Sequence, residues 1–165
     1  MLNNFFDVKN KNKGLTTTSL HSRGFTLIEL LVVIGILAVL LAITLIAINP
    51  AKQFSQANNT KRRSDVNAIL NAIDQYAADN KGTLPTNINT TNLQIANSGG
   101  ANICADLVTK YLAAFPRDPL TMNGTPVTDC TSYGTNYWVF KSATDSRVTV
   151  SAPAAELSET ISVTR

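Results

Sequence analysis

The pattern of apolar and polar positions divides the 165-residue chain into four stretches. Residues 1–24 are polar, and residues 25–48 are almost wholly apolar. Within the second stretch, Leu30–Ile48 is a run of 19 uncharged residues interrupted only by Gly35 and Thr44. A helix of that length rises roughly 28 Å, close to the hydrocarbon thickness of a bilayer. A chain this short has too little other material to wrap such a helix on every side, so the run reads as a membrane helix. Residues 49–82 return to mixed composition, with Val66, Ile69, Leu70, Ile73 and Tyr76 or Ala77 at helical spacing. Lys81-Gly82 then supplies a stop, and Pro85 lies just beyond it. Read without a break, Phe25 to Asn80 predicts one helix of roughly 84 Å. Pro50 would kink it by removing a backbone hydrogen bond and pressing on the carbonyl of Ile46.

The fourth stretch, residues 83–165, predicts a small head. Residues 83–102 are rich in Asn and Thr and read as a surface loop, with a short ordered turn around Leu93–Ile95. Ile103, Leu107, Tyr111 and Leu112 suit a short amphipathic helix ending before Phe115-Pro116, and Arg117-Asp118-Pro119 marks a turn. Three β-branched or aromatic runs follow at Asn136–Lys141, Arg147–Ser151 and Thr160–Thr164. They predict an antiparallel sheet laid on the second half of the helix, an α+β layout. Along the first run, Tyr137 and Val139 would share one face, with Trp138 and Phe140 on the other. Tyr133, Tyr137, Trp138 and Phe140 therefore read as sheet residues rather than as an exposed aromatic surface.

Charge adds a direction. Lys9, Lys11, Lys13 and Arg23 against Asp7 account for the whole formal charge of +3, so the remaining chain is balanced. The basic excess is not on the folded part, which argues against a general nucleic-acid binder. A basic flank before a membrane helix stays in the cytoplasm, so everything after Ile48 would be exported. Lys61-Arg62-Arg63 competes from the far side, but it lies well beyond the helix. An isolated basic triplet reads as a solvated helix face rather than a DNA contact. The apolar run is too long for an ordinary secretory signal, has no small-residue cleavage pattern after it, and is followed by no lipoprotein Cys.

Glu29 stands out. It lies four residues into the apolar block, where an isolated carboxylate costs about 2.5–3.5 kcal/mol on insertion scales. The sequence Arg23-Gly24-Phe25-Thr26-Leu27-Ile28-Glu29-Leu30, followed by the apolar run, resembles the class III signal of type IV pilins and type II secretion pseudopilins. The resemblance implies a pilin-like fold, with a long N-terminal helix packed against a small sheet head. It implies cleavage between Gly24 and Phe25 by a prepilin peptidase, N-methylation of Phe25, and a mature chain of residues 25–165. It also implies polymerisation through the apolar helix, with the inner-membrane assembly platform and related subunits as partners. The place is the bacterial inner membrane, with membrane lipid around the helix before assembly, and then a periplasmic or cell-surface filament. In such a filament the Glu29 carboxylate would pair with the Phe25 amine of a neighbour and set the register. The alternatives for Glu29 are snorkelling to the headgroups or protonation. Pro50 sits a few residues later than the usual helix-breaking proline of the family. The Tyr111-Leu112 to Phe115-Pro116-Arg117-Asp118-Pro119 stretch is similar to the segment before the sheet in small pilins and major pseudopilins.

Cys104 and Cys130 both fall in the exported head, where an oxidising compartment favours a disulfide spanning 26 positions over two free thiols. Zinc is poorly served, because the one histidine, His21, is in the leader. Some pseudopilins bind calcium in this region, but Asp118, Asp129 and Asp145 form no recognised ligand loop and read as turn or cap residues. No nucleophile elbow, phosphate-cradling loop or metal-ligand pair argues for an enzyme, and no cofactor is expected. The competing class is a single-pass anchored binding module that never polymerises; such an anchor needs neither Gly24-Phe25 nor Glu29.

Overall fold

The computed structural model describes residues 24–165, so the leader, with its basic cluster and His21, lies outside the described residues. The chain divides into two units, with the boundary between Thr44 and Leu45. Helix α1 (Leu27–Ile48) is the one described helix long and apolar enough to cross a membrane. No residue of α1 is buried. Thr44, its polar interruption, donates its hydroxyl to the carbonyl of Leu41 at 2.9 Å, the local bond that makes Thr tolerable in lipid.

Helical bonding stops at Ile48 and restarts in α2 (Pro50–Asp79). The expected single helix kinked at Pro50 is thus two helices, and Pro50 opens the second. Asn49 adopts a left-handed conformation (φ 46°), and its side-chain oxygen accepts from the Lys52 backbone N–H at 3.3 Å. A residue before proline is pushed out of the α region, while proline at the first helical position has no N–H to waste. Asn49-Pro50 is therefore a helix start. At the other end Gly82 (φ 87°) donates to the carbonyl of Ala77 at 2.7 Å and closes α2.

The rest of the second unit is a four-stranded antiparallel sheet in the order β1 (Leu93–Ala96), β2 (Gly134–Lys141), β3 (Val148–Ala152), β4 (Ile161–Thr164). Val139 pairs with Leu93 on one side and Val150 on the other, and Val150 pairs with Val163. Helix α2 packs on β3 and β4. Its buried stripe of Val66, Ile69, Leu70 and Ile73 meets Tyr137, Val139 and Val150 in one core. Along β2, Thr135, Tyr137 and Val139 point inward and Trp138 and Phe140 do not, the alternation expected of a half-buried strand.

Two expectations need correction. Strand β1 lies in the stretch read as a loop, where Asn and Thr mask the short apolar segment. Ile95 is fully buried, and the chain folds straight back so that Ala101 donates to the Gln94 carbonyl at 2.8 Å. A Cβ on Gly100 would collide with that same carbonyl oxygen, which is why glycine stands there. The amphipathic helix expected over Ile103–Leu112 is a single turn, α3 (Cys104–Leu107). Val108 goes extended and Thr109 left-handed (φ 73°), two β-branched residues that leave the helix easily. Tyr111 instead reaches the end of α2, donating to Asp79 at 2.9 Å and meeting Tyr76 edge-on.

Cys104 and Cys130 form a disulfide with Cα atoms 5.6 Å apart, joining α3 to the loop before β2. Replacing both by Ser is expected to lower unfolding stability by about 3 kcal/mol, from the chain entropy restored to the unfolded state. Denaturant titration of the full chain, followed by Trp138 fluorescence, checks this. An unchanged midpoint would mean that the bridge constrains nothing.

Candidate functional site

Gly24, Phe25 and Thr26 precede α1 outside any helix or strand. A Cβ on Gly24 would meet no atom within 4 Å, so nothing in the described chain calls for glycine there. Glu29 is the third residue of α1, and Thr26 is the residue that opens it. Thr26 donates both its backbone N–H and its hydroxyl to Glu29 Oε2, each at 2.8 Å. The Glu29 N–H in return donates to Thr26 Oγ1 at 3.2 Å. This is a reciprocal capping box, and its Thr-x-x-Glu signature was legible in the sequence though not drawn from it. It answers part of the puzzle of an acid in an apolar block, since the carboxylate satisfies orphan donors of the first turn. Among the described residues Glu29 has no cationic partner, and Oε1 accepts no hydrogen bond.

The second polar constellation is in the head and corrects the reading of Lys61-Arg62-Arg63 as a solvated face. Arg62 is fully buried. Its Nε and Nη2 donate to Asp118 Oδ2 and Oδ1 at 2.7 and 3.2 Å, a forked pair with a fully buried carboxylate. Its Nη1 donates to Glu156 Oε2 at 2.8 Å and Asn59 Oδ1 at 2.9 Å. Glu156 also accepts from Ser55 and Asn58, each at 2.9 Å, and its backbone is bracketed by the Asn59 side chain. One guanidinium thus ties α2 to two loops distant in sequence. Its neighbours on α2 go different ways: Lys61 pairs with Asp65 at 2.8 Å, and Arg63 with Glu159 at 2.5 Å. Asp65 also accepts from the buried Tyr137 hydroxyl at 2.7 Å. No buried side-chain polar atom among the described residues lacks a partner.

Burial works against the charge on Arg62, yet the bonds to Asp118 and Glu156 outweigh it and hold its pKa above the ordinary value. The Arg62 hydrogen bond, helped by Asn58 and Ser55, brings Glu156 down to about 2. For Tyr137, burial and the bond to Asp65 push the phenol up.

The remaining candidate carboxylates hold their own turns. Asp118 accepts from the Leu120 N–H at 3.0 Å as well as from Arg62. Asp129 accepts from the N–H and hydroxyl of Thr131, which hold it below the usual carboxylate range. Asp145 accepts from the Arg147 N–H at 3.2 Å. Asp118, Asp129 and Asp145 are not brought together, and no group of three His, Cys, Asp or Glu side chains among the described residues is placed to hold a metal ion.

Two outcomes follow. Arg62→Ala leaves Asp118 buried without its cation and is expected to destabilise the head by about 3–5 kcal/mol, read as a fall in the denaturation midpoint. A loss under about 1 kcal/mol, the range of surface pairs, would show that the pair is solvated. The pH response has a definite sign. Glu156 is depressed in the folded state from an ordinary 4.5 to about 2, so its contribution is present above the unfolded value and lost as pH falls from about 5 towards 2. Glu156→Gln should flatten stability across that window; an identical acid slope in the variant would refute the assignment.

No curated protein and no solved structure gives a significant match to the chain. Residues 20–45 match a family described as the prokaryotic N-terminal methylation motif, which spans Gly24, Phe25, Glu29 and most of α1. The chain thus carries a prokaryotic N-terminal methylation motif that overlaps its one described helix fit to cross a membrane, and this motif is the N-terminal signal that type IV pilin-like precursors share.

Proposed function

We propose that this protein is a structural subunit, a type IV pilin or pseudopilin. In this reading it is cut between Gly24 and Phe25 by a prepilin peptidase, methylated on the new Phe25 amine, and polymerised through α1. The observation that carries the reading is Glu29. Its carboxylate is held in the apolar block by Thr26 through Oε2, while Oε1 accepts no hydrogen bond among the described residues. Cleavage would create a cationic amine at Phe25, and an open carboxylate oxygen on a neighbouring subunit is its natural partner. In a helical bundle with little water that pair would be strong, and removing one member would leave the other uncompensated. Methylation keeps the positive charge and so preserves the pairing.

The capping box adds preorganisation: Oε2 is fixed on its own chain, which aims Oε1 before any neighbour arrives. Gly24 fits the same picture, since its lack of a side chain serves no contact in the described chain and suits recognition by a peptidase. At Gly35 a Cβ would likewise meet nothing within 4 Å, and a small residue there lets another helix approach closely. The assembly platform of the inner membrane and copies of this chain or related subunits are the partners this chemistry needs.

Glu29→Val separates assembly from anchoring. In cells with a prepilin peptidase and assembly platform, the variant should insert and be cleaved. Filaments recovered by shearing should fall by roughly a hundredfold, as a contact penalty of about 3 kcal/mol implies. Wild-type yield from the variant, or no filament from the wild type, would contradict the reading.

A further inference from the structure

A cavity of about 540 Å³ opens between the end of α2, the loop that follows it and the ends of three strands. Cavities of roughly 300–1,000 Å³ are the size that holds a small molecule. Its strand side is one cross-strand row. Lys141, the last residue of β2, pairs with Val148, the first of β3. Val148 in turn exchanges two backbone hydrogen bonds with Arg165, at 2.7 and 3.0 Å. On the loop side Gly82 (φ 87°) turns the chain out of α2, and Leu84 and Ile88 bring apolar side chains to the wall. Thr83, Thr86 and Ser146 add three exposed hydroxyls. The cavity lies wholly within the second unit and asks nothing of α1.

Three charged side chains line the cavity, and two of them match each other. Arg165 donates through Nη1 to Asp74 Oδ2 at 3.4 Å and also to Asn71. Lys141 is half-buried and has no carboxylate partner among the described residues, the terminal one included. The lining therefore offers a ligand one unmatched positive charge. A singly charged anion balances it, whereas a phosphate dianion beside Asp74 would be left undercompensated. The rest of the rim selects for hydroxyls. Thr83, Thr86 and Ser146 both donate and accept, and the Asp74 carboxylate accepts. Leu84, Ile88 and Val148 supply an apolar wall for the C–H face of a ring.

We propose that this cavity binds a sugar acid of the hexuronate class. Its carboxylate pairs with Lys141, its hydroxyls bond to Thr83, Thr86, Ser146 and Asp74, and its ring lies against Leu84, Ile88 and Val148. A free hexuronate and the end of an acidic polysaccharide present the same carboxylate and hydroxyls. The proposal is independent of the filament reading, because every residue it uses belongs to the head.

Saturation-transfer NMR on the full chain in phosphatidylcholine nanodiscs, with empty discs as the baseline, tests this. Glucuronate should bind with a dissociation constant of about 1 mM or tighter. Glucose, acetate and glucose phosphate should each bind roughly tenfold more weakly or worse. The methyl glycoside of glucuronate mimics a chain end: equal binding admits a polysaccharide, and its loss limits the ligand to the free sugar. Lys141→Gln should weaken glucuronate roughly tenfold or more, the loss of one charge-assisted hydrogen bond. Lys110→Gln, in a lysine paired with Asp79 outside the cavity, should leave it unchanged. Thr83→Val, away from the strands, should weaken it roughly threefold and serves if the Lys141 variant does not fold. An unchanged affinity in either folded variant overturns the proposal, as does an equal loss in Lys110→Gln. So does acetate, glucose or glucose phosphate binding as tightly as glucuronate, and so does the absence of saturable glucuronate binding.

Discussion

The constraint on which the rest depends is that α1 cannot bury itself. Twenty-two residues, almost all apolar, form a helix of which none is buried. Water is not a tolerable solvent for that surface, so something outside the chain must cover it, either lipid or other helices. A bilayer satisfies the length, and a bundle of like helices satisfies the same surface without lipid. A subunit that moves between the two exchanges one apolar environment for another, at little cost in hydrophobic free energy. What then distinguishes the bundle from the bilayer is whatever polar chemistry the helix carries. Glu29 is the only charged side chain in α1.

That economy explains why the N-terminal segment is so sparse. A carboxylate in an apolar block is expensive, and the Thr26 capping box reduces the expense by satisfying one oxygen and the first-turn donors together. The other oxygen accepts no hydrogen bond among the described residues. In the proposed filament, an interaction that is costly until a cation arrives would act as a register device, because a helix displaced by one residue would leave both charges uncompensated. The head needs no such device and uses its buried charge otherwise. Arg62 with Asp118 and Glu156 closes two loops onto α2 where few apolar residues hold them. The disulfide secures the loop on the other side of Phe115. These clasps add to the core contacts of Ile95, Ile103, Leu107 and Phe115 in a stretch, residues 83–133, that has little regular secondary structure.

Much of this was legible in the chain. The apolar helix α1 follows from an unbroken run, and the Val66-Ile69-Leu70-Ile73 stripe, the three C-terminal strands and the in–out order of Tyr137 and Trp138 follow from periodicity, which survives tertiary context. The misses share a cause. Arg62 looked like one of three surface cations because periodicity places a residue on a face but cannot name its partners. Those partners are 56 and 94 positions away. Its position four before Val66 and seven before Ile69, on the buried stripe, was the available signal. Strand β1 was hidden because its partner β2 is some forty residues distant and its length is four. Pro50 alone reads as a helix interruption, whereas Asn49 before it supplies a cap and makes it a beginning.

The measurement that bears most directly on the central claim is the intact mass and N-terminal sequence of the membrane-bound chain, made with and without an active prepilin peptidase. The account predicts a product that begins at Phe25 and carries one added methyl group, formed only when the peptidase is present. A chain that keeps residues 1–24 beside an active peptidase would contradict it, and would leave α1 as a plain anchor for the head.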